Sequence, residues 1–454
     1  MKQWPYTERL AAYSAGLTFA QLPVRAVQMS KPLVLDTLGA LFAAWPDRHP
    51  VSRLIGDFVQ QMGGTPECTV FGRDFKAPAA NAALVNGTMG YAADIEGAGI
   101  ARMHAAAVFV PTALVMAERQ NLSGKQLITA LALAYDIAGR VSEASRAETS
   151  YPHSFHPSAV FGTFGAAAIA GYALGLDADR FVNCYGLAGN VASGLVAWVD
   201  DPTEHSRSFG IGVAARNGVT AALLAELGFG GPRGIFDQMK YNIYDAFAGE
   251  MHLAELDRHL GAEFYIERAD GYKQYPCCGD IHSGLDALLS LLAEHNLEPG
   301  QIAQVTHMVK VNRSAIIDNN PLQSHCSQYI MAVAAVERQI RWDDFLRDRR
   351  AEPAIGAMAT KTRLIEAPEL STSPPAARPA IVEVKTTDGR TLRRRVDYAK
   401  GRSENPLSKA DLDEKFVRLA TPAVGKQRAL EIMALVEHLD GLASVRELLA
   451  LMHR

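Results

Sequence analysis

Residues 272–292 read YKQYPCCGDIHSGLDALLSLL, and the chain changes character across this stretch. It packs an amine (Lys273), an imidazole (His282) and two adjacent thiols (Cys277, Cys278) into a loop that opens a helix, a combination able to bind anions and move protons. N-terminal to it, as far as about Leu256, the signals are helical and rich in Ala and Gly, residues small enough to let helix backbones approach closely. From about Glu263 the pattern changes: AEFYIER (262–268), QVTHMVKVN (304–312) and AIVEVKTTDGRTLRRRVDY (380–398) carry the β-branched alternation of strands. The last of these contains Asp388-Gly389, a strong hairpin signal. After residues 401–416 the helical pattern returns and runs to the C-terminus. The expectation is a mainly α protein: a large all-helical domain of residues 1–258 and 403–454, interrupted by a smaller α+β domain of residues 259–402.

Three helix boundaries are legible. Ser123 and Gln126 form a capping box ahead of the apolar positions Leu127, Leu131, Leu133 and Ile137. A second helix starts after His156, with Pro157 in the first-turn position that tolerates a missing donor. A third ends at Leu227, where Gly228 can take the left-handed conformation that closes a helix. Polar loops around His104, His156 and Arg207 each run into such a small-residue helix, as does the loop around Lys273, and four of them suggest one shared pocket. Residues 371–379, STSPPAARP, read as a surface loop before the hairpin.

Charged residues make up 21% and apolar residues 48% of the 454, with a formal net charge of -4, the composition of an ordinary globular protein with no basic bias toward nucleic acid. The N-terminus carries no leader-like apolar stretch, and no window holds the roughly 18 uninterrupted apolar residues of a membrane span, so a cytoplasmic location is expected. Five cysteines, two of them neighbours, do not form a disulfide framework. Nor do Cys277 and Cys278 suit zinc: two thiolates with no spacer do not easily converge on one ion, and no second pair exists.

Six stretches taken together carry a resemblance: NGTMGYAADIEG (86–97), MHAAAVFVPTALVMAE (103–118), FHPSAVFGTFGAAA (155–168), FGIGVAARNGVTAALLAELGFGGP (209–232), YKQYPCCGDIH (272–282) and NPLSKADLDEKF (405–416). In this order, over nearly the whole length, they resemble the MmgE/PrpD family, which includes 2-methylcitrate dehydratase, cis-aconitate decarboxylase and iminodisuccinate epimerase. The resemblance implies a large all-α domain, a smaller α+β lid with the active site between them, and a homodimer. It also implies proton shifts beside a carboxylate of a small di- or tricarboxylate, without metal or cofactor. Position by position it points to Asp94, His104, His156 and Lys273, with His282 close by. The chain departs from the family pattern at three places. Asp94-Ile95-Glu96-Gly97-Ala98 stands where the family has Asp-Phe-Asp-Asp-Thr, His104-Ala105 where it has His-Pro, and Arg207-Ser208-Phe209-Gly210-Ile211-Gly212 where it has Lys-x-Phe-His-Ala-Gly.

The residue chemistry fits that reading. His156 directly precedes a helix whose positive N-terminal end disfavours imidazolium, leaving a neutral ring usable as a base; otherwise it caps the helix. His104, between a polar loop and an apolar helix, is the candidate partner acid. Lys273 and Arg207 are candidates for holding substrate carboxylates, the first as a compact charge, the second as a bidentate fork. Asp94 is suited to orient a histidine or to take part in proton transfer, Glu96 reads as a bystander, and His282 reaches the same anion or supports the loop. His325 and Cys326 read as a domain contact. The expected activity is a lyase, dehydratase or decarboxylase; the alternatives are an epimerase and a catalytically inert carboxylate-binding paralogue.

Overall fold

The computed structural model describes residues 5–146, 153–249, 251–374 and 377–453. A helical body is built from α1 (Val24–Ala43), α2 (Ala79–Ala92), α3 (Ala105–Gln120), α4 (Gly124–Ala144), α5 (Pro157–Ala173) and α6 (His205–Glu226). The lid contributes α7 (His282–Glu294), β1 (Ile302–Val309), α8 (Ser327–Glu337), β2 (Thr362–Glu366), β3 (Ala380–Thr386) and β4 (Thr391–Val396), after which α9 (Lys409–Val424) returns to pack on α1. The molecule is thus mainly α with a small sheet-containing region.

Small residues set the spacing of the body. Helix α6 lies against α2 and α5. A side chain at Gly212 would overlap Thr88 and the Leu84 carbonyl, and a Cβ at Gly218 would come 2.5 Å from the Ala167 nitrogen, so these helices meet backbone to backbone. By length and composition α6 also qualifies as a membrane span, yet it is packed into the bundle on two sides. The start of α4 has both halves of the Ser123/Gln126 capping box, α5 has Pro157 at its first position, and Gly228 closes α6 with φ 88°.

The lid sheet has the order β2-β1-β3-β4, with β1 and β2 parallel and the other pairs antiparallel; Gly389, φ 90°, makes the β3–β4 turn. Leu285, Leu288 and Leu292 of α7 share a separate core with Ile302, Val305, Val382 and Val384. Of the expected surface loop 371–379, residues 371, 372 and 374 are exposed, 375–376 lie outside the described residues, and 377 and 379 are buried with Arg378 turned to the cavity described below.

One strand expectation fails. Residues 262–268 do not pair in a sheet; Tyr265–Arg268 form a 3-10 turn. The Tyr265 N–H donates to Asp136 Oδ1 at 2.7 Å and its hydroxyl to Glu143 Oε2 at 2.6 Å, while its ring covers Gly139, where any side chain would overlap it. This tertiary anchorage to α4 overrides the local β pattern, and the body core continues to Ala269.

The chain enters the lid through residues 270–273 and returns through 399–402. Both pass the loop after α2 at close quarters. Side chains at Gly97, Gly271 or Gly401 would overlap, in turn, Tyr272 Cα, the Gly401 carbonyl and the Tyr272 carbonyl.

Candidate active site

A cavity of about 600 Å³ opens between body and lid, a volume suited to a small metabolite. The body side carries Tyr91, Asp94, Glu96, Arg102, His104, His156 and Trp198; the lid side carries Lys273, Asp280, His282, Lys310, Arg313, His325 and Arg378.

The loop of residues 94–102 is the most strained segment of the wall. Asp94, Ala98, Ala101 and Arg102 have φ of 48°, 52°, 46° and 67°, a left-handed conformation that costs side-chain-bearing residues about 1–3 kcal/mol each. Surrounding bonds impose it. Gly97 N donates to Asp36 Oδ2 (2.7 Å), Ala98 N to the Gly271 carbonyl (2.9 Å) and Asp270 N to the Gly99 carbonyl (2.7 Å), and the Ala98 carbonyl accepts from the Tyr135 hydroxyl (2.6 Å). A buried strut completes the clamp: Lys415 of α9 donates to Asp36 Oδ1 (2.6 Å) and to the carbonyls of Ile95 and Lys273 (2.8 Å each), tying α1, the body loop and the entry to the lid together.

Within this frame the expected residues fall as follows. His104 and His156 are the residues immediately preceding α3 and α5, and both rings line the cavity. Neither makes a side-chain capping bond, which removes the capping reading of His156. Burial above all, with His104 and Arg207 nearby, pushes His156 down to about 3, and burial with the Lys273 charge holds His104 far below the ordinary imidazole value, so both rings are neutral. Lys273 reaches Asp94 Oδ1 at 2.5 Å and the Asp94 carbonyl at 3.1 Å. Burial works against its charge, but Asp94 and Glu96 raise its value above the usual one, so Lys273 is a fixed ammonium and not a base. For Asp94, burial alone would favour the acid; Arg207 and Lys273 outweigh it and hold the group well below the usual carboxylate range, making it an ionic anchor. His282, first residue of α7, lines the cavity and lies 3.2 Å from the Cys277 carbonyl, where a neutral ring can only donate. Burial keeps the Cys277 and Cys278 thiols protonated.

Arg207 corrects the sequence reading. It sits inside α6, fully buried and outside the cavity lining, and its fork is occupied. Its Nε and Nη2 engage Glu204 Oε2 (2.7 Å each), Nη1 engages Asp94 Oδ1 (3.1 Å), Nη2 also donates to the Tyr91 carbonyl (3.2 Å), and the guanidinium stacks 4.0 Å from the centre of the Tyr91 ring. All three guanidinium nitrogens are thus already engaged by protein groups, away from the cavity.

Glu96 is no bystander. Its Oε1 lies 2.9 Å from His104 Nδ1 and 3.7 Å from Lys273 Nζ, in a fully buried side chain. Burial raises its carboxyl to about 7, against the pull of Lys273, so near neutrality the proton of the Glu96–His104 pair resides on the carboxyl, beside a neutral ring. His325, expected only as a domain contact, also lines the cavity. The larger omission is the lid's cations. Arg313 and Arg378 approach the buried Asp280 carboxylate at 3.8 and 3.5 Å, Arg402 approaches Asp270 at 3.6 Å, and Lys310 reaches the carbonyls of Ser373 and Pro374. Burial opposes ionisation of Asp280, yet Arg378, Arg313, Arg102 and Arg402 together hold it below the usual carboxylate range. The lid end of the cavity is therefore strongly positive, with seven cationic and four acidic side chains around the whole lining.

Comparison with known proteins places this geometry in a family. Residues 8–255 match the MmgE/PrpD N-terminal domain and residues 275–440 the MmgE/PrpD C-terminal domain. The chain is similar to cis-aconitate decarboxylase of Homo sapiens, 26% identical over 96% of this chain and 92% of the relative. It is similar to cis-aconitate decarboxylase of Aspergillus terreus, 24% identical over 98% and 96%. A third relative, 2-methylcitrate dehydratase of Cupriavidus necator, is 25% identical over 57% of this chain and 54% of its own length. With both halves matched and the cavity formed where they meet, the chain belongs to the MmgE/PrpD family.

Proposed function

We propose that the protein is a lyase acting on a small di- or tricarboxylate, removing water or carbon dioxide by proton transfer at a carbon beside a carboxylate. The observation that carries this reading is the pairing, in one cavity, of neutral imidazoles and a carboxyl poised near pH 7 with a fixed ammonium and a cation-rich lid. In our reading the lid cations hold the substrate's remote carboxylates, and Lys273 faces the charge that develops as electrons move into the reacting one. In dehydration an imidazole takes the proton from carbon, the electron pair spreads into the adjacent carboxylate, and the hydroxyl leaves as water with a proton returned by the site. In decarboxylation the carbon–carbon pair enters the conjugated system as carbon dioxide departs, and the Glu96–His104 pair supplies the proton that ends on carbon.

Both routes predict the same first experiment. Purified protein incubated in heavy water with citrate, 2-methylcitrate and cis-aconitate, followed by proton NMR and carbon dioxide release, should give product or deuterium exchange with at least one of them. Neither product nor exchange with any candidate would overturn the lyase reading and leave an inert carboxylate-binding protein.

A further inference from the structure

We infer that His325 is a further proton acceptor of this site, held with its hydrogen on Nδ1 and its Nε2 lone pair turned to the substrate by a chain of Ser324, Glu204 and Arg207 that spans lid and body. The inference rests on the lyase reading and adds to it a residue and the groups that orient it.

The argument is a count of hydrogens. Ser324 and His325 lie in the 3-10 turn Gln323–His325 directly before α8. The Ser324 hydroxyl bonds Glu204 Oε1, and its oxygen lies 3.0 Å from His325 Nδ1. Glu204 immediately precedes α6, and its other oxygen takes two contacts of 2.7 Å from the Arg207 guanidinium. Burial raises the Glu204 carboxyl and Arg207 opposes that rise; as a carboxylate paired with a permanently charged arginine it accepts only, so the single Ser324 hydrogen points at Glu204. The lone pairs left on Oγ face Nδ1, which must be the donor. A neutral imidazole has one N–H, and Nε2 is then bare. The ring stands 5.3 Å from Trp198, whose indole also meets His156 at 5.5 Å, so two imidazoles flank one indole in the cavity wall.

In this arrangement the substrate C–H bond breaks, its electron pair moves into the adjacent carboxylate, and the proton binds Nε2. The imidazolium so formed is stabilised through Ser324 by the Glu204 charge, and it gives its proton to the departing hydroxyl, which leaves as water and restores the neutral ring. Ser324, Glu204 and Arg207 are positioning residues, acting through His325.

The test combines kinetics with a direct measurement of the tautomer. His325→Asn keeps an N–H near the Nδ1 position, and so the Ser324 bond, but has nothing at Nε2. It should lower kcat and solvent exchange about 100-fold or more, with KM within about threefold and an unchanged unfolding midpoint. Ser324→Ala should lower kcat about tenfold, and Ser324→Thr should restore it. In wild-type protein labelled with ¹⁵N-histidine, the His325 signals, identified by their loss in His325→Asn, should report a protonated Nδ1 and an unprotonated Nε2. A hydrogen found on Nε2, or a His325→Asn variant turning over within threefold of wild type, overturns the inference. A wild type inert toward every candidate ends the lyase reading and with it the acceptor role, while the nitrogen spectrum separately decides the orientation.

Discussion

Replacing Lys415 with methionine removes three hydrogen bonds at once and tests whether the strut beneath the site is structural. The ammonium is 5% exposed and the Asp36 carboxylate 1%. Burial by itself shifts both groups toward their neutral forms, Asp36 upward and Lys415 downward, and their mutual attraction opposes it. Without Lys415, Asp36 keeps only the Gly97 N–H, and the carbonyls of Ile95 and Lys273 lose their shared donor. Breaking a buried pair from one side costs about 3–5 kcal/mol, because a charge is left without compensation. Lys415→Met should therefore lose about that much in urea unfolding of the body, and kcat should fall with it, since the freed carbonyls belong to the residues flanking Asp94 and to Lys273 itself. The sign with pH follows from Asp36. Its folded pKa stands above the unfolded one and rises further in the variant, so its contribution is fully present below the unfolded value near 3.8 and is lost as pH climbs through the folded one. The variant's deficit should be smaller at pH 5 than at pH 8. Adding Asp36→Asn, which keeps an acceptor for Gly97 but no charge, should recover at least about half of the loss. A single variant within about 1 kcal/mol of wild type at pH 8 would refute the reasoning.

Three further outcomes are expected. Arg207→Lys keeps the charge but cannot reach Glu204, Asp94 and the Tyr91 carbonyl together, so kcat should fall about tenfold or more while KM moves less than about threefold; a change confined to KM would return Arg207 to substrate binding. If Glu96 donates in its protonated form, turnover should decline as pH rises through about 7, and Glu96→Gln should abolish that alkaline limb; a limb that persists in the variant belongs to another group. Arg378→Gln at the lid end should raise KM for the polycarboxylate about tenfold with kcat nearly kept, and an unchanged KM would place the substrate's carboxylates elsewhere.

Helix boundaries were legible because their signals are local. Ser123 and Gln126 satisfy each other across one turn, and Gly228 needs only its own missing side chain. The hairpin at Asp388-Gly389 is the same kind of signal. Residues 262–268 misled because Tyr265 answers to Asp136 and Gly139, more than a hundred residues earlier. The histidines and Lys273 were found by landmark, and the structure brings them to one cavity. The state of Arg207 was half written in the sequence: Glu204, three residues before it, is a ready helix partner, whereas Asp94 comes from 113 residues away. Arg313 and Arg378 sit in loops beside lid strands, where an arginine has no local mark that separates a cavity wall from open surface.

The crossing of three backbones at Gly97, Gly271 and Gly401 bears on how this lineage could change. The family's usual acidic side chain at the position of Gly97 has no room here, since Tyr272 fills its place. Restoring that acid by a single substitution is a dead end. The peptide running into the lid would have to be re-routed first, so a laboratory effort to place an acid at Gly97 must rebuild the backbone around Gly271 and Gly401 with it.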